Sequence, residues 1–187
     1  MALSNHERVG KALEVLKAGL PAYVERELKN AHGTKWLATA RQVLGQGIQI
    51  GGTEKAPDWD AAGLLRLMWE CRNEIFGKTL GRAERSIVSE LMEIRNKWAH
   101  QKPFSTDDAY RALDSMHRLL NATGAGKEAD ELETQKAELM RVKFDEQARH
   151  ERRKTQSTLG LEAGTAAGLK PWREVVTPHP DVASGRY

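Results

Sequence analysis

The 187-residue sequence has few of the residues that build disulfide-bonded, β-rich or membrane-spanning proteins. Its one cysteine, Cys71, excludes an internal disulfide and a thiolate metal cluster, and this favours a reducing compartment. Aromatic residues make up only 6% of the chain, and segments rich in Val, Ile, Thr and Tyr, as strands require, are missing. No apolar run is long enough to cross a bilayer, and the polar N-terminus lacks a secretion signal. These absences predict a cytoplasmic, all-α protein with no membrane partner.

The charge is mixed, and a formal net charge of +3 is too small to indicate nucleic-acid binding by itself. Lys and Arg outnumber Asp and Glu 18 to 15 in residues 1–123, whereas the two signs balance in residues 124–158 and 159–187. Together with the apolar pattern, this divides the chain into three expected parts. They are a helical bundle over 1–123, a charged helical extension over 124–158, and an irregular tail over 159–187 that starts as a Gly and Ala linker.

Apolar residues that recur every three or four positions predict four to five packed helices in the first part. Capping boxes at Ser4/Glu7 and Ser105/Asp108 mark two helix starts, and Pro21 is expected to kink or open the first helix. The predicted helices cover residues 4–33, 36–44, 58 or 60 to 77, 82–100 and 105–124, and a more polar helix covers about 127–156.

No cofactor or metal site is predicted. The six histidines include no His-x-x-x-His pair and none has a neighbouring cysteine, so no zinc pattern is present. Residues 121–128 resemble a P-loop, but Asn121 replaces its first glycine and Glu128 replaces the hydroxyl residue that would bind magnesium. A nucleotide site does not follow from this stretch.

The candidate site is the polar segment that ends the fourth helix, residues 95–100. Asn96 and His100 are four residues apart and share a helix face, whereas Arg95 lies about 140° around the helix from His100. Arg95 must therefore reach across with its long side chain. His100 falls in the last turn, where the negative end of the helix dipole favours a protonated imidazole and suits it to proton transfer.

These residue types can cleave RNA without a metal, because the RNA 2′-hydroxyl attacks the adjacent phosphorus once a base removes its proton. Arg95 would neutralise the developing charge on the phosphorus, and Asn96 could orient the phosphate or the histidine. A single histidine is one short of an acid–base pair, so the chemistry predicts a homodimer through this helix that brings two motifs together. Lys97 and Lys102 flank the motif and are candidate RNA-binding residues.

A structural interpretation of the same segment is also open. Arg95 could form an ion pair with Glu90 or Glu93, and His100 could cap the helix C-terminus.

The sequence around the candidate site resembles the HEPN superfamily signature, which is an Arg, a polar residue, three more residues and a His. The resemblance is carried by residues 90–100, followed by Phe104-Ser105, Asp107-Asp108 and 110–113. The resemblance extends over about residues 4–122 and is strongest to the subgroup named for a eukaryotic nuclear endonuclease of transcript surveillance. It implies a HEPN-type helical bundle that dimerises with two such motifs facing each other. It also implies a metal-independent endoribonuclease with Arg95 and His100 as the catalytic pair and Asn96 as the polar helper. Some HEPN domains act only in dimerisation or nucleic-acid binding, and this alternative stays open.

The tail, residues 159–187, resembles the stretch that precedes the ATPase core of large bacterial phage-defence proteins. This second resemblance implies that the chain is the effector part of a longer defence protein. The ATPase domain of that parent chain would then be a partner and would control when RNA is cut.

Overall fold

The computed structural model describes residues 3–45, 50–53 and 57–165, with side chains up to residue 154. Within these residues the fold is almost entirely helical, which confirms the all-α prediction. The α-helices are α1 (Asn5–His32), α2 (Trp36–Leu44), α3 (Ala61–Glu70), α4 (Arg82–Ala99), α5 (Thr106–Thr123) and α6 (Gly126–Thr165). Two 3-10 helices span Gly33–Lys35 and Phe76–Lys78, and two short strands, β1 (Gly51–Gly52) and β2 (Pro57–Asp58), pair antiparallel.

The first helix, α1, is the central element of the bundle and packs against α2, α3, α4 and α5. Its predicted capping box is present: Ser4 Oγ accepts the Glu7 amide at 3.2 Å, and the Glu7 carboxylate accepts the Ser4 amide at 2.8 Å. The helix is continuous through Pro21, so the predicted local opening does not occur. Buried residues on both sides of the proline, Leu20 and Tyr23, keep the two halves packed on the core.

The third helix is shorter than the apolar pattern predicts. The pattern places its end near Gly77, whereas α3 ends at Glu70. The amides of Ile75 and Phe76 both donate to the Cys71 carbonyl, at 3.0 and 3.3 Å, and this turns the chain back on itself. A Cβ atom on Gly77 would lie 2.7 Å from the Arg72 carbonyl oxygen, so the turn needs a glycine there. Ile75 and Phe76 are buried, but a turn and a 3-10 helix, rather than α3, place them in the core.

The chain divides into two units, residues 1–143 and 144–187. In the first unit, Ala129, Leu132 and Leu139 of α6 are buried in the bundle core, and Lys136 forms an ion pair with Asp114 of α5 at 2.9 Å. In the second unit, α6 continues to Thr165, so residues 159–165 are helical rather than part of an irregular tail. The remainder of the expected tail, residues 166–187, lies outside the described residues. Among the described helices, none has the length and apolar character needed to span a membrane.

Candidate active site

The C-terminal half of α4 presents the predicted site. Ile87, Val88 and Leu91 of α4 are buried, and the helix lies between α3 and α5. This packing leaves Asn96 and His100 exposed on the side away from the core. The predicted one-turn spacing is present in the backbone, where the His100 amide donates to the Asn96 carbonyl at 3.0 Å.

His100 is the residue at which α4 ends, and the chain leaves it through a strained turn. Gln101 has a φ of 53°, in the left-handed region that favours glycine. The Gln101 amide donates to the Trp98 carbonyl at 2.9 Å, and the Lys102 amide donates to the Lys97 carbonyl at 3.1 Å. These two bonds form the Schellman arrangement, which satisfies the last carbonyls of the helix without using the imidazole. In the part of the chain that the structure describes, the His100 side chain has no hydrogen-bond or ion-pair partner.

Arg95 points toward α3, where its Nη2 atom lies 3.4 Å from Asp60 Oδ2. Asp60 precedes α3, so the ion pair joins the start of α3 to the end of α4. The alternative prediction that Arg95 forms an ion pair with Glu90 or Glu93 is therefore wrong. Its partner is Asp60, and Glu90 instead pairs with Arg111 of α5. The Arg95 side chain keeps 31% of its surface exposed, so the ion pair does not bury it.

Beside this ion pair, a groove of about 290 Å³ separates α3 from α4. Arg95 and Asn96 line it from α4, and Arg66 and Glu70 line it from α3. The structure thus brings two of the three proposed catalytic residues to one groove, while His100 lies one turn further along the helix beyond the groove lining.

The two candidate RNA-binding lysines have different surroundings. Lys97 Nζ forms an ion pair with Asp108 Oδ2 at 2.9 Å and lies 4.6 Å from the centre of the Phe104 ring. This contact lowers the pKa of the Asp108 carboxyl, with a further contribution from the Ser105 amide. Lys102 is exposed, and within the described residues its ammonium group has no partner. Lys97 would have to leave Asp108 before it could bind a phosphate.

The start of α1 supports the end of α4, a contact that the sequence did not indicate. His6 Nε2 donates to the Trp98 carbonyl at 3.0 Å, and its ring stacks on the Trp98 indole with 5.7 Å between centroids. Asn5 Nδ2 donates to the Phe104 carbonyl at 3.2 Å and so holds the loop that follows His100. A Cβ atom on Gly10 would lie only 2.9 Å from Trp98 Nε1. These contacts fix the backbone on both sides of His100 from a segment about 90 residues earlier in the sequence.

The site offers a cation, an amide and an imidazole at one exposed helix end. An arginine can neutralise phosphate charge through two parallel hydrogen bonds, and an imidazole can transfer a proton near neutral pH. In the described ranges, no three His, Cys, Asp or Glu side chains lie close enough together to hold a metal ion.

A family model described as Swt1-like HEPN matches residues 11–124, well over half of the chain. The chain belongs to this HEPN family. The match begins in α1 and ends just after α5, so it includes the whole segment 95–100, and the predicted HEPN fold is confirmed. HEPN domains serve as RNase-type nucleases or as nucleic-acid-binding modules. Neither curated proteins nor solved structures give a match to this chain.

Proposed function

We propose that the chain is a metal-independent endoribonuclease that cleaves RNA by 2′-hydroxyl transesterification at a site shared by two copies. The observation that carries the proposal is the exposed end of α4. There, Asn96 and His100 share the open face, and the imidazole of His100 has no competing partner among the described residues. An exposed imidazole without a protein partner is free to reach a substrate atom, as proton transfer requires.

In the proposed reaction, neutral His100 takes the proton from the 2′-hydroxyl, and the 2′-oxygen forms a bond to the adjacent phosphorus. Arg95 binds the non-bridging oxygens as negative charge builds on them, and Asn96 donates to the same phosphate. The bond from phosphorus to the 5′-oxygen then breaks, and a protonated histidine gives that oxygen its proton. The products are a 2′,3′-cyclic phosphate and a 5′-hydroxyl.

The proton donor is the reason for proposing a dimer. The end of α4 carries one histidine, and His6, which contacts this segment from α1, already bonds to the Trp98 carbonyl. A two-fold axis beside α4 would place the His100 of a second copy near the leaving oxygen. One copy would then supply the base and the other the acid.

The same proposal includes the biological setting implied by the tail. We infer that the domain is the effector part of a longer bacterial defence protein whose ATPase domain regulates it. The resemblance of residues 159–187 supports this, and most of that stretch lies outside the described residues.

Cleavage of total RNA in EDTA tests the chemistry. We expect the wild-type chain to leave cyclic-phosphate ends, and His100→Ala and Arg95→Ala to lower the rate at least about 100-fold, as loss of a proton-transfer or charge-stabilising group does. Arg95→Lys keeps the charge but not the planar fork, so its rate should stay well below that of the wild type.

The matched control is His32→Ala, since His32 also lies at a helix C-terminus and is not part of the site. This variant should cleave at the wild-type rate. Equal cleavage by His100→Ala and the wild type would overturn the assignment of the site. RNA binding without cleavage by any variant, even as a confirmed dimer, would favour a non-catalytic HEPN module.

A further inference from the structure

A second and larger groove lies beside the N-terminal half of α4, and the proposed cleavage chemistry does not use it. Its volume is about 640 Å³, and it is lined by the end of α3 with the turn after it, by residues 82–93 of α4, and by Arg111 of α5. Four arginines from these three elements line it: Arg72, Arg82, Arg85 and Arg111. We call it the arginine groove.

The arginine groove carries an excess of positive charge. Its acidic residues are Glu90 and Glu93, and Glu90 already pairs with Arg111. Arg82 and Arg85 form no ion pair within the part of the chain that the structure describes. Two guanidinium groups are therefore free to bind an anion, and Ser86 and Ser89 add hydroxyl groups beside them.

The turn after α3 holds a third guanidinium in place. Arg72 Nη1 donates to the Trp69 carbonyl at 2.7 Å, and the guanidinium lies 4.3 Å from the centre of the Trp69 ring. A Cβ atom on Gly77 would lie 3.3 Å from Arg85 Nη1, so Arg85 passes close to the same turn. Arginine that is fixed in this way loses less side-chain entropy when it binds a phosphate.

The arginine groove lies on the same face of α4 as Asn96 and His100, whereas Arg95 lies about 140° around the helix from that face. Residues 82, 86, 89, 93, 96 and 100 follow one another at steps of three or four, so they form a single row along the helix. The row extends about 27 Å from Arg82 to His100 at 1.5 Å per residue. A nucleic-acid strand lying along this row would contact the arginines at one end and His100 at the other.

We propose that the arginine groove binds the phosphate backbone of the single-stranded RNA that is cut at His100. The inference rests on the proposed function and adds the place where the substrate is held. Arginine recognises phosphate through a planar fork, which suits a row of anionic groups. Trp69 has Arg72 over its ring, so the groove offers phosphate contacts more than base stacking, and binding should depend little on sequence.

Binding of a 2′-O-methyl RNA 20-mer, which cannot undergo transesterification, tests the groove in the full chain. Fluorescence anisotropy at several salt concentrations would compare the wild type with Arg82→Gln/Arg85→Gln. The slope of log affinity against log salt should become shallower by about 1.4, because each lost single-strand phosphate contact contributes about 0.7. Affinity at low salt should fall about tenfold or more.

The control variant Arg41→Gln/Arg118→Gln removes the same charge from exposed sites outside the groove. Its affinity should stay within about twofold of the wild type. Equal losses in both double variants would show a response to net charge alone, and no loss in the groove variant would show that RNA does not use the groove. Either result, or a failure of the wild type to bind the RNA, overturns the proposal.

Cleavage kinetics separate this inference from the proposed function. With a long RNA, the groove variant should raise KM about tenfold and leave kcat unchanged, since the lost contacts bind substrate and transition state equally. With a dinucleotide, which cannot reach the groove from His100, its rate should match that of the wild type. Cleavage by the groove variant with an unchanged KM would contradict RNA binding in the arginine groove but not the nuclease activity. Groove-dependent binding without any cleavage would contradict the nuclease activity but not the binding site.

Discussion

Gln101 directly follows His100 and adopts a positive φ, a conformation in which a side chain with a Cβ is strained. The strain destabilises the folded protein by about 1–2 kcal/mol, and a glycine at this position would remove it. Glycine also makes the unfolded chain more flexible, which destabilises the folded state by about 0.4–1 kcal/mol and offsets part of the gain. We therefore expect Gln101→Gly to raise the free energy of unfolding by about 0.5–1 kcal/mol in urea titrations.

Gln42 is the matched control, because it is exposed inside α2, where glycine is unfavourable. Gln42→Gly should lower the free energy of unfolding by about 0.5–1 kcal/mol. If both substitutions destabilise the protein equally, the left-handed turn after His100 is not strained as described.

Asp108 connects the segment 95–100 to the start of α5 and gives this contact a pH dependence. Lys97, and then the Ser105 amide, hold the pKa of Asp108 below its ordinary value of 3.8. The Asp108 carboxyl therefore binds a proton more readily in the unfolded chain than in the native chain. The ionised carboxyl stabilises the fold fully above pH 3.8, and this stabilisation is lost as the pH falls through the lower native pKa.

Asp108→Asn should therefore be less stable than the wild type at pH 6, and the difference should shrink below about pH 3.8 as the wild-type carboxyl is protonated. Free energies of unfolding of the two proteins, measured at pH 6 and at pH 3, check this. A difference that is the same at pH 6 and pH 3 would contradict the ion pair with Lys97.

At the scale of elements, the turn between α3 and α4 depends on one glycine. A Cβ atom on Gly77 would lie 2.7 Å from the Arg72 carbonyl, and backbone there cannot move without disturbing the buried Phe76. Gly77→Ala should cost about 1–3 kcal/mol of stability, as overpacking does. Gly126→Ala, where a Cβ atom would meet nothing within 4 Å, should be close to neutral in the same thermal unfolding measurement. Similar melting temperatures for the two variants would contradict the close packing of the turn.

The helices themselves were largely predictable from local signals. The capping boxes at Ser4 and Ser105 fix the starts of α1 and α5, and the left-handed Gly124 fixes the end of α5. The end of α3 was not predictable from periodicity, because Ile75 and Phe76 keep an apolar spacing that fits a helix. Their burial comes from a turn whose hydrogen bonds converge on the Cys71 carbonyl, and this depends on tertiary packing.

Across the whole molecule, the residues proposed for the site could be selected from the sequence, but their partners in the fold could not. Asn96 and His100 share a face because helix geometry requires it. The Arg95 ion pair joins residues 35 positions apart, and the contact of His6 with Trp98 spans 92 positions. Such pairings depend on how α1, α3 and α4 cross in the bundle, and no local pattern encodes that crossing.

A shared site also predicts how activity depends on concentration. Below the dimer dissociation constant, the initial rate should rise with the square of protein concentration, and above it the rate should rise linearly. An excess of His100→Ala added to a fixed amount of wild type should lower the rate, because mixed dimers lack one of the two histidines. The same excess of His32→Ala should raise the rate. Cleavage that is linear throughout and unaffected by His100→Ala would show that one copy suffices.

The most direct measurement of the central claim uses one RNA oligonucleotide with a single mapped cleavage site, made with either ribose or 2′-deoxyribose at the nucleotide 5′ to the cut. Both are incubated with the wild-type protein in EDTA, and the ends are identified by mass spectrometry. If the 2′-hydroxyl is the nucleophile, the ribose form yields a 2′,3′-cyclic phosphate and a 5′-hydroxyl, and the deoxyribose form is not cut. Equal cleavage of the two forms would mean that water is the nucleophile and would contradict transesterification at the Arg95 and His100 site.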